Sequence, residues 1–258
     1  MRFRPSLAVI FALGLLALNS CGGYGQNSTT TPVTTGTIRF INGAPTVPNM
    51  DFTVSNGAGA IIGLAYQTFS TTLVVIAGPY NIAASITGTT TPFSSLNTFT
   101  VNAGAHYTVV ATGTLANPKF IVFTEPIFST AATAAAVNFH DASAASGTAA
   151  IPVGTYVNVA GVPTPTQLGT MTLGNQTGPL SIALTVLVDP TTGVASAPVG
   201  FYAFAPTVDQ FLPSGADSTD TTEIVPFGGD HNMQVYLIDN PAGSPTPGTL
   251  VGIFDFDG

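Results

Sequence analysis

The sequence predicts an all-β chain, on three observations. Short runs of alternating apolar and polar residues recur along it, bounded by Gly, Pro and Asn, the pattern of half-buried strands. Twenty prolines and 28 glycines among 258 residues leave few windows in which a long helix could propagate. Only 6% of residues are charged while 45% are hydrophobic, with a mean hydropathy of +0.44, so the chain has a core to bury and is not of disordered composition. Its surface must then be built mainly from Thr, Ser, Asn, Gln and Gly.

The first element is not a strand. Met1-Arg2-Phe3-Arg4 carries positive charge, Leu7 to Leu18 is apolar, and small residues follow at Asn19-Ser20. That order describes an export signal, and the apolar run is shorter than the roughly 20 residues that a membrane-spanning helix needs. Leu18-Asn19-Ser20-Cys21 resembles the lipobox of bacterial lipoproteins, with Asn19 more polar than is usual at its position. The resemblance implies cleavage before Cys21, acylation of the thiol and amine, and, because Gly22 rather than Asp follows, an outer-membrane destination. A lone cysteine cannot form an intramolecular disulfide, and an exported free thiol invites oxidation, which also favours a lipid on Cys21. More than one acyl chain makes a stable anchor where a single chain is marginal.

Residues 21–36 read as the lipidated cysteine and a flexible Gly/Ser/Thr tether, "GGYGQNSTTTPVTTG" after Cys21, with a random-coil reach of roughly 20 Å. Strands are expected at Thr37 to Ile41 and Asp51 to Val54. Ser55-Asn56-Gly57 then turns, since Asn-Gly accepts positive φ at both positions. Further strands are expected at Thr71 to Ala77, Tyr80 to Thr87, Phe99 to Asn102, His106 to Thr112 and Phe120 to Thr124. Ala131 to Val137 reads as a linker or a helical turn.

The pattern then repeats. "TIRFINGAP" from Thr37 has an echo in "AVNFHDASA" from Ala136, and "DFTV" at Asp51 in "YVNV" at Tyr156. "AGPYNIAASIT" from Ala77 matches "TGPLSIALTVL" from Thr177, and "FTVNAGAHYTVVATG" from Phe99 matches "EIVPFGGDHNMQVYLID" from Glu223, aligning His106 with His231. The growing offset places an insertion in the second copy, within 189–222. Ile38 to Pro45, Met50 to Val54, Ala77 to Ile82 and Val101 to Val110 together resemble the bacterial domain of unknown function 4397, with its "VRFxHASP", "VDVYV", "PAGxYxVxV" and "LxAGxxYTVVAxG" strands. The resemblance implies an exported, often lipid-anchored β-sandwich and brings no activity with it. The expected organisation is a signal peptide over 1–20, the tether over 21–36, and two tandem antiparallel β-sandwich domains of immunoglobulin-like type over 37–128 and 133–258.

Function classes are narrowed by charge. Once residues 1–20 are removed, Arg39 and Lys119 face twelve acids. Two cations cannot neutralise a run of phosphates, which excludes nucleic acid, and they form no polybasic patch for anionic headgroups. Asp51 and Glu125 balance the two cations in the first copy, so all the other acids fall in the second, where they either serve solubility, keeping an otherwise uncharged domain from associating, or raise a negative potential that draws cations or a basic partner. Asp217, Asp220 and Glu223, in a Ser/Thr-rich stretch, are the candidate oxygen ligands for a weak calcium site.

Catalytic patterns are wanting. The one cysteine is assigned to lipid, and the sequence holds no G-x-S-x-G, H-E-x-x-H or P-loop. Consecutive strand residues point to opposite faces, so His140-Asp141 and Asp230-His231 are not expected to converge on one ligand. Asp255-Phe256-Asp257-Gly258 resembles half a calcium loop without a closing Glu. Tyr66, Phe69, Phe93, Tyr202 and Phe204 are expected in cores rather than on a sugar-stacking surface. The sequence therefore points to a non-enzymatic, cofactor-free structural or interaction module of the bacterial envelope. It would hold the membrane through its lipid and take an envelope protein or a glycan as partner. The alternative is an accessory protein binding glycans or divalent cations.

Overall fold

β1 (Thr35–Asn42) begins two residues before the expected start and runs between two partners, so both its ladders are satisfied. The computed structural model describes residues 34–125, 134–147, 150–159, 162–183, 199–203, 231–241 and 248–256, all within one compact unit, Thr34–Gly258. Among the described residues, every regular element longer than a single 3-10 turn at Ala144–Ser146 is a strand, as the sequence predicts. No helix among the described residues is long and apolar enough to cross a membrane.

Strands β2 (Asn49–Val54), β3 (Gly59–Ala65), β4 (Leu73–Ile76), β5 (Gly78–Ile86), β6 (Pro92–Val101), β7 (His106–Thr114) and β8 (Asn117–Glu125) complete the first half. They form two sheets, ordered β4-β1-β7-β8 and β3-β2-β5-β6. The β1–β7 pair is parallel, Thr37 opposite His106 and Phe40 opposite Val109; the other pairs are antiparallel. The β2–β3 hairpin turns as expected, with Asn56 at φ 62° and Gly57 at φ 69°. Ile38, Phe40, Tyr107 and Val109 from one sheet close on Met50, Phe52, Ile82 and Phe93 from the other, with Phe40 and Phe52 stacked at 4.7 Å. This is a β-sandwich core. β5 alternates buried and exposed along most of its length, so its sheet has one wet face. β7 does not alternate: Tyr107 to Gly113 are all buried, so its sheet is covered on both faces.

The second half repeats much of this arrangement. β9 (Ala134–Asp141), β12 (Gln176–Ala183), β14 (His231–Asp239) and β15 (Gly248–Phe256) form a sheet ordered β12-β9-β14-β15, with β9 and β14 parallel. β10 (Ile151–Val159), β11 (Val162–Met171) and β13 (Val199–Ala203) form the other, ordered β11-β10-β13. No described strand pairs with one from the other half.

Three expectations are corrected here. Residues from Ala134 onward are strand, not linker or helical turn, because β9 is held by both β12 and β14. "TGPLSIA" lies in β12 against β9, the place β4 has beside β1, whereas "AGPYNIA" lies in β5 against β2. Their likeness reflects a shared Gly-Pro strand opening, not a shared position. The register also sets His106 against Thr37 but Asn232 against Ala136, one residue away from the expected His106–His231 correspondence.

A polar device ends each first strand. Asn42 is fully buried; its amide donates to the carbonyls of Val47 and Leu64, each at 3.0 Å, and its Oδ1 accepts from Ala44 N. Asp141, at the same place in β9, accepts from Ser143 N at 3.0 Å. Gly43 N and Ala142 N then donate to Ala111 and Leu237 in matching fashion. Asn42→Ala leaves two buried carbonyls and an amide without that partner, so a loss of about 2 kcal/mol is expected, read as a lower urea midpoint; an unchanged midpoint would refute it.

Candidate functional site

Among the described residues, the buried acids and the buried histidine gather in one place, between the two halves. β7 and β8 of the first half turn their second face toward β14 and the turn after β9. Ile41, Val110, Phe123, Ala142, Tyr236 and Ile238 form an apolar cluster there, with Tyr66, Phe69 and Ile121 packed on it. Gly43 is needed at this contact, because a Cβ would stand 3.0 Å from Ile238 Cγ2 and 3.2 Å from the Ala111 carbonyl.

Each half sends one buried carboxylate into this layer, held by donors from both halves. Asp239 ends β14. Its Oδ2 accepts from Thr112 Oγ1 at 3.0 Å and Gly113 N at 3.2 Å, across the interface. Its Oδ1 accepts from Ser143 Oγ at 2.7 Å and Ala145 N at 2.8 Å. Tyr66 closes the same corner by donating to the Asp239 carbonyl, and burial pushes its phenol up to about 12. In the opposite direction, Glu125 of β8 accepts from Tyr236 of the second half and from Thr108. Burial, with the Glu125 charge adding to it, drives the Tyr236 phenol well above its ordinary range, while Arg39 opposes the rise.

His140 sits in the middle. It is fully buried, stacked on Tyr236 at 4.4 Å and edge-on to Phe123 at 4.8 Å. Its Nε2 donates to Gln234 Oε1 at 2.8 Å, and Nδ1 finds no hydrogen-bond partner among the described residues. Burial pulls its pKa down to about 4, against the weaker upward pull of Gln234. Asp141 is turned instead to the Ser143–Ser146 turn, accepting from Ser143 N and from Ser146 Oγ at 2.9 Å. Burial raises its pKa, and the Asp239 charge adds to the rise. His140 and Asp141 thus do not converge, as the strand period requires.

His140 nevertheless departs from a simple inward/outward reading of β9, because both faces of that strand are buried. His140, Asp141, Glu125 and Asp239 are closed to solvent. Apart from His140 Nδ1, the donors and acceptors named above hold each other.

The other candidates distribute as follows. Phe93 is buried, and Tyr66 and Phe69 pack on the interface cluster, in line with core roles. His106 shares a hydrogen bond with Thr37 Oγ1 at 2.9 Å. Asp255 and Phe256 lie in β15, paired with Asn232 and His231, so that stretch is strand rather than the opening of a calcium loop. Cys21, Asp217, Asp220, Glu223, Phe204 and Asp230 lie outside the described residues. No group of three or more His, Cys, Asp or Glu suited to a metal occurs among the described residues. Asp239, Glu125, Gln234 and Tyr236 were not singled out by sequence. The available signal was the unbroken "MQVYLID" and "YTVVATG" runs, which mark strands covered on both faces.

Comparison with known proteins gives the following. None of the curated proteins matches the chain. Among solved structures, the Bacillus anthracis TIE protein is similar over 67% of this chain, at 12% identity and a TM-score of 0.24; the chain spans 29% of that protein's length. A candidate cell adhesion protein from Bacteroides uniformis is 8% identical, covering 88% of this chain and 98% of its own, with a TM-score of 0.27. The tip fimbrial protein Mfa3 from Porphyromonas gingivalis, truncated at its C-terminus, is 10% identical, covering 86% and 98%, with a TM-score of 0.22. Residues 36–152, from β1 into β10, match the model of DUF4397, a domain of unknown function, and over that segment the family resemblance read from the strand motifs holds.

Proposed function

We propose that the chain is a lipid-anchored, non-catalytic interaction module of the bacterial envelope, built from two sandwich halves over 37–128 and 133–258 that act as one stiff body. The observation that carries this reading is the fate of the polar groups between the halves. His140, Asp141, Glu125 and Asp239 are at most 6% exposed, and each is occupied by partners inside the protein. A reacting acid, base or nucleophile has to meet its substrate; these groups hold two layers together instead.

The paired parallel first strands, β1 with β7 and β9 with β14, support the tandem origin of the halves. Attachment rests on Leu18-Asn19-Ser20-Cys21 and the Gly/Ser/Thr run behind it, which leads into β1 within a few residues. In this reading the outer membrane holds the lipid, and the body is presented to another envelope component or a glycan.

The anchor is tested by mass spectrometry of the N-terminal peptide from the native host. The expected peptide begins at Cys21 and carries acyl mass, and Cys21→Ser leaves an unacylated product with its signal uncut. An unmodified Cys21 in the mature protein would end the lipoprotein reading.

A further inference from the structure

Large aliphatic side chains are exposed at four described positions: Ile62, Val74, Ile76 and Leu115, at 69, 64, 61 and 50%. Two of them form a pair. Val74 and Ile76 alternate with buried Val75 on the edge strand β4, so both point away from the core. Their register partners on β1 are Thr37 and Thr35. Ile76 therefore stands beside the first residue of the folded body, where Ala77 N donates to Thr34 O and Gly104 N to Thr35 O. Ile62 lies in the other sheet, and Leu115 in the β7–β8 turn at the far end of that hairpin.

Arg39 is half-buried on β1, on the same face two residues on from Thr37, and the other charges of this half are placed elsewhere. Asp51 is bound by Gly63 N and Thr87 Oγ1, and Lys119 pairs with Thr112 toward the opposite end of β7 from His106. Glu125 does lie at the His106 end, but it is 6% exposed and taken by Thr108 and Tyr236. The end where the chain enters the body thus shows two aliphatic side chains among Thr, Ala, Gly, Pro and Asn. Desolvating an exposed charge there would oppose contact with hydrocarbon, and among the described residues of this half none is exposed at that end.

The chain length outside the body says what meets this end. Thirteen residues separate Cys21 from Thr35, and a random coil of that length reaches roughly 20 Å. Resting on the anchored reading above, we propose that Val74 and Ile76 seat in the headgroup–acyl boundary of the membrane that holds the lipid. The patch adds a second, shallow contact to the covalent one and so orients the body, with the Leu115 turn facing away.

The test uses the protein's single native cysteine to advantage. With Cys21 acylated, Val74→Cys, Ile76→Cys and Leu115→Cys each carry one free thiol, which takes an environment-sensitive fluorophore. The lipidated full chain is reconstituted on phosphatidylethanolamine/phosphatidylglycerol vesicles, with and without nitroxide-labelled lipids. The expected result is blue-shifted, nitroxide-quenched emission at positions 74 and 76 and no change at 115. If the protein floats with vesicles but positions 74 and 76 are unchanged, the anchor stands and the inference falls. If it does not float, both fall. A blue shift already present in vesicle-free solution, growing with protein concentration and insensitive to nitroxide lipid, assigns the patch to a second copy of the chain and overturns the inference.

Discussion

Asp239→Ala should destabilise the protein by about 3–5 kcal/mol, because it removes the acceptor shared by four donors in a site closed to water. Thr112 and Gly113 lose their tie to the second half, while Ser143 and Ala145 lose the contact that fixes the turn after β9. The four costs are not additive, so the range sits well below their sum. Asp239→Asn keeps the shape but turns an amide NH2 toward two of the donors, and an intermediate loss is expected. Urea unfolding followed by circular dichroism and tyrosine fluorescence reads both variants. In the parent the two probes should coincide; in Asp239→Ala they should separate, since Tyr66 and Tyr236 report on the layer between the halves. A variant with the parent's midpoint and coincident probes would show that the apolar cluster alone holds the halves together.

The second large effect is acid loss of stability through His140. Its folded-state pKa of about 4 lies below the ordinary 6.5, so between those values the unfolded chain takes up a proton that the folded one refuses. Stability therefore falls as the pH drops below 6.5 and stops falling from this source below about 4; a gap of that size corresponds to roughly 3 kcal/mol. The structural reason is specific. With Nε2 already given to Gln234, a proton on Nδ1 would have no acceptor and would stand against Tyr236 and Phe123. Asp141 works in the opposite sense, since its raised pKa means that acid relieves the cost of its burial. His140→Phe keeps a ring in the stack but cannot titrate. It is expected to be weaker than the parent at pH 7, with Gln234 left unbonded, yet to lose less between pH 6.5 and 4. Parallel slopes of urea midpoint against pH would remove His140 from the account.

Local rules made much of the fold legible. The Asn56-Gly57 turn, the alternation in β2 and β5, and the "NFHDAS" and "RFINGAP" strand ends follow from φ preferences, pleat period and Asx turns, which act within a few residues. β3 was hidden because "GAIIGLA" has no polar alternation and carries Gly59 and Gly63 in its ladder. The place of "TGPLSIA" was misread because edge-strand pairing is decided by the neighbouring sheet, not by the segment's own residues. The layer between the halves was the least legible part. Asp239 and Glu125 look like ordinary surface acids until β7 and β14 face each other, and their donors across the layer lie more than a hundred residues away in the chain. A residue buried by a contact of that separation leaves only the weak signal of a strand that fails to alternate.

The parallel pairings also dictate an order of assembly. β1 cannot complete its sheet until β7 is available, and β9 must wait for β14, which lies near the end of the chain. Loop closure over such separations is slow compared with hairpin formation. A chain delivered from its N-terminus can finish the first sandwich early, but it then carries Ile41, Val110 and Phe123 on an uncovered face until Tyr236 and Ile238 arrive. During that interval the half-made protein is adhesive in a way the finished one is not, and that face is one a chaperone escorting it would have to protect.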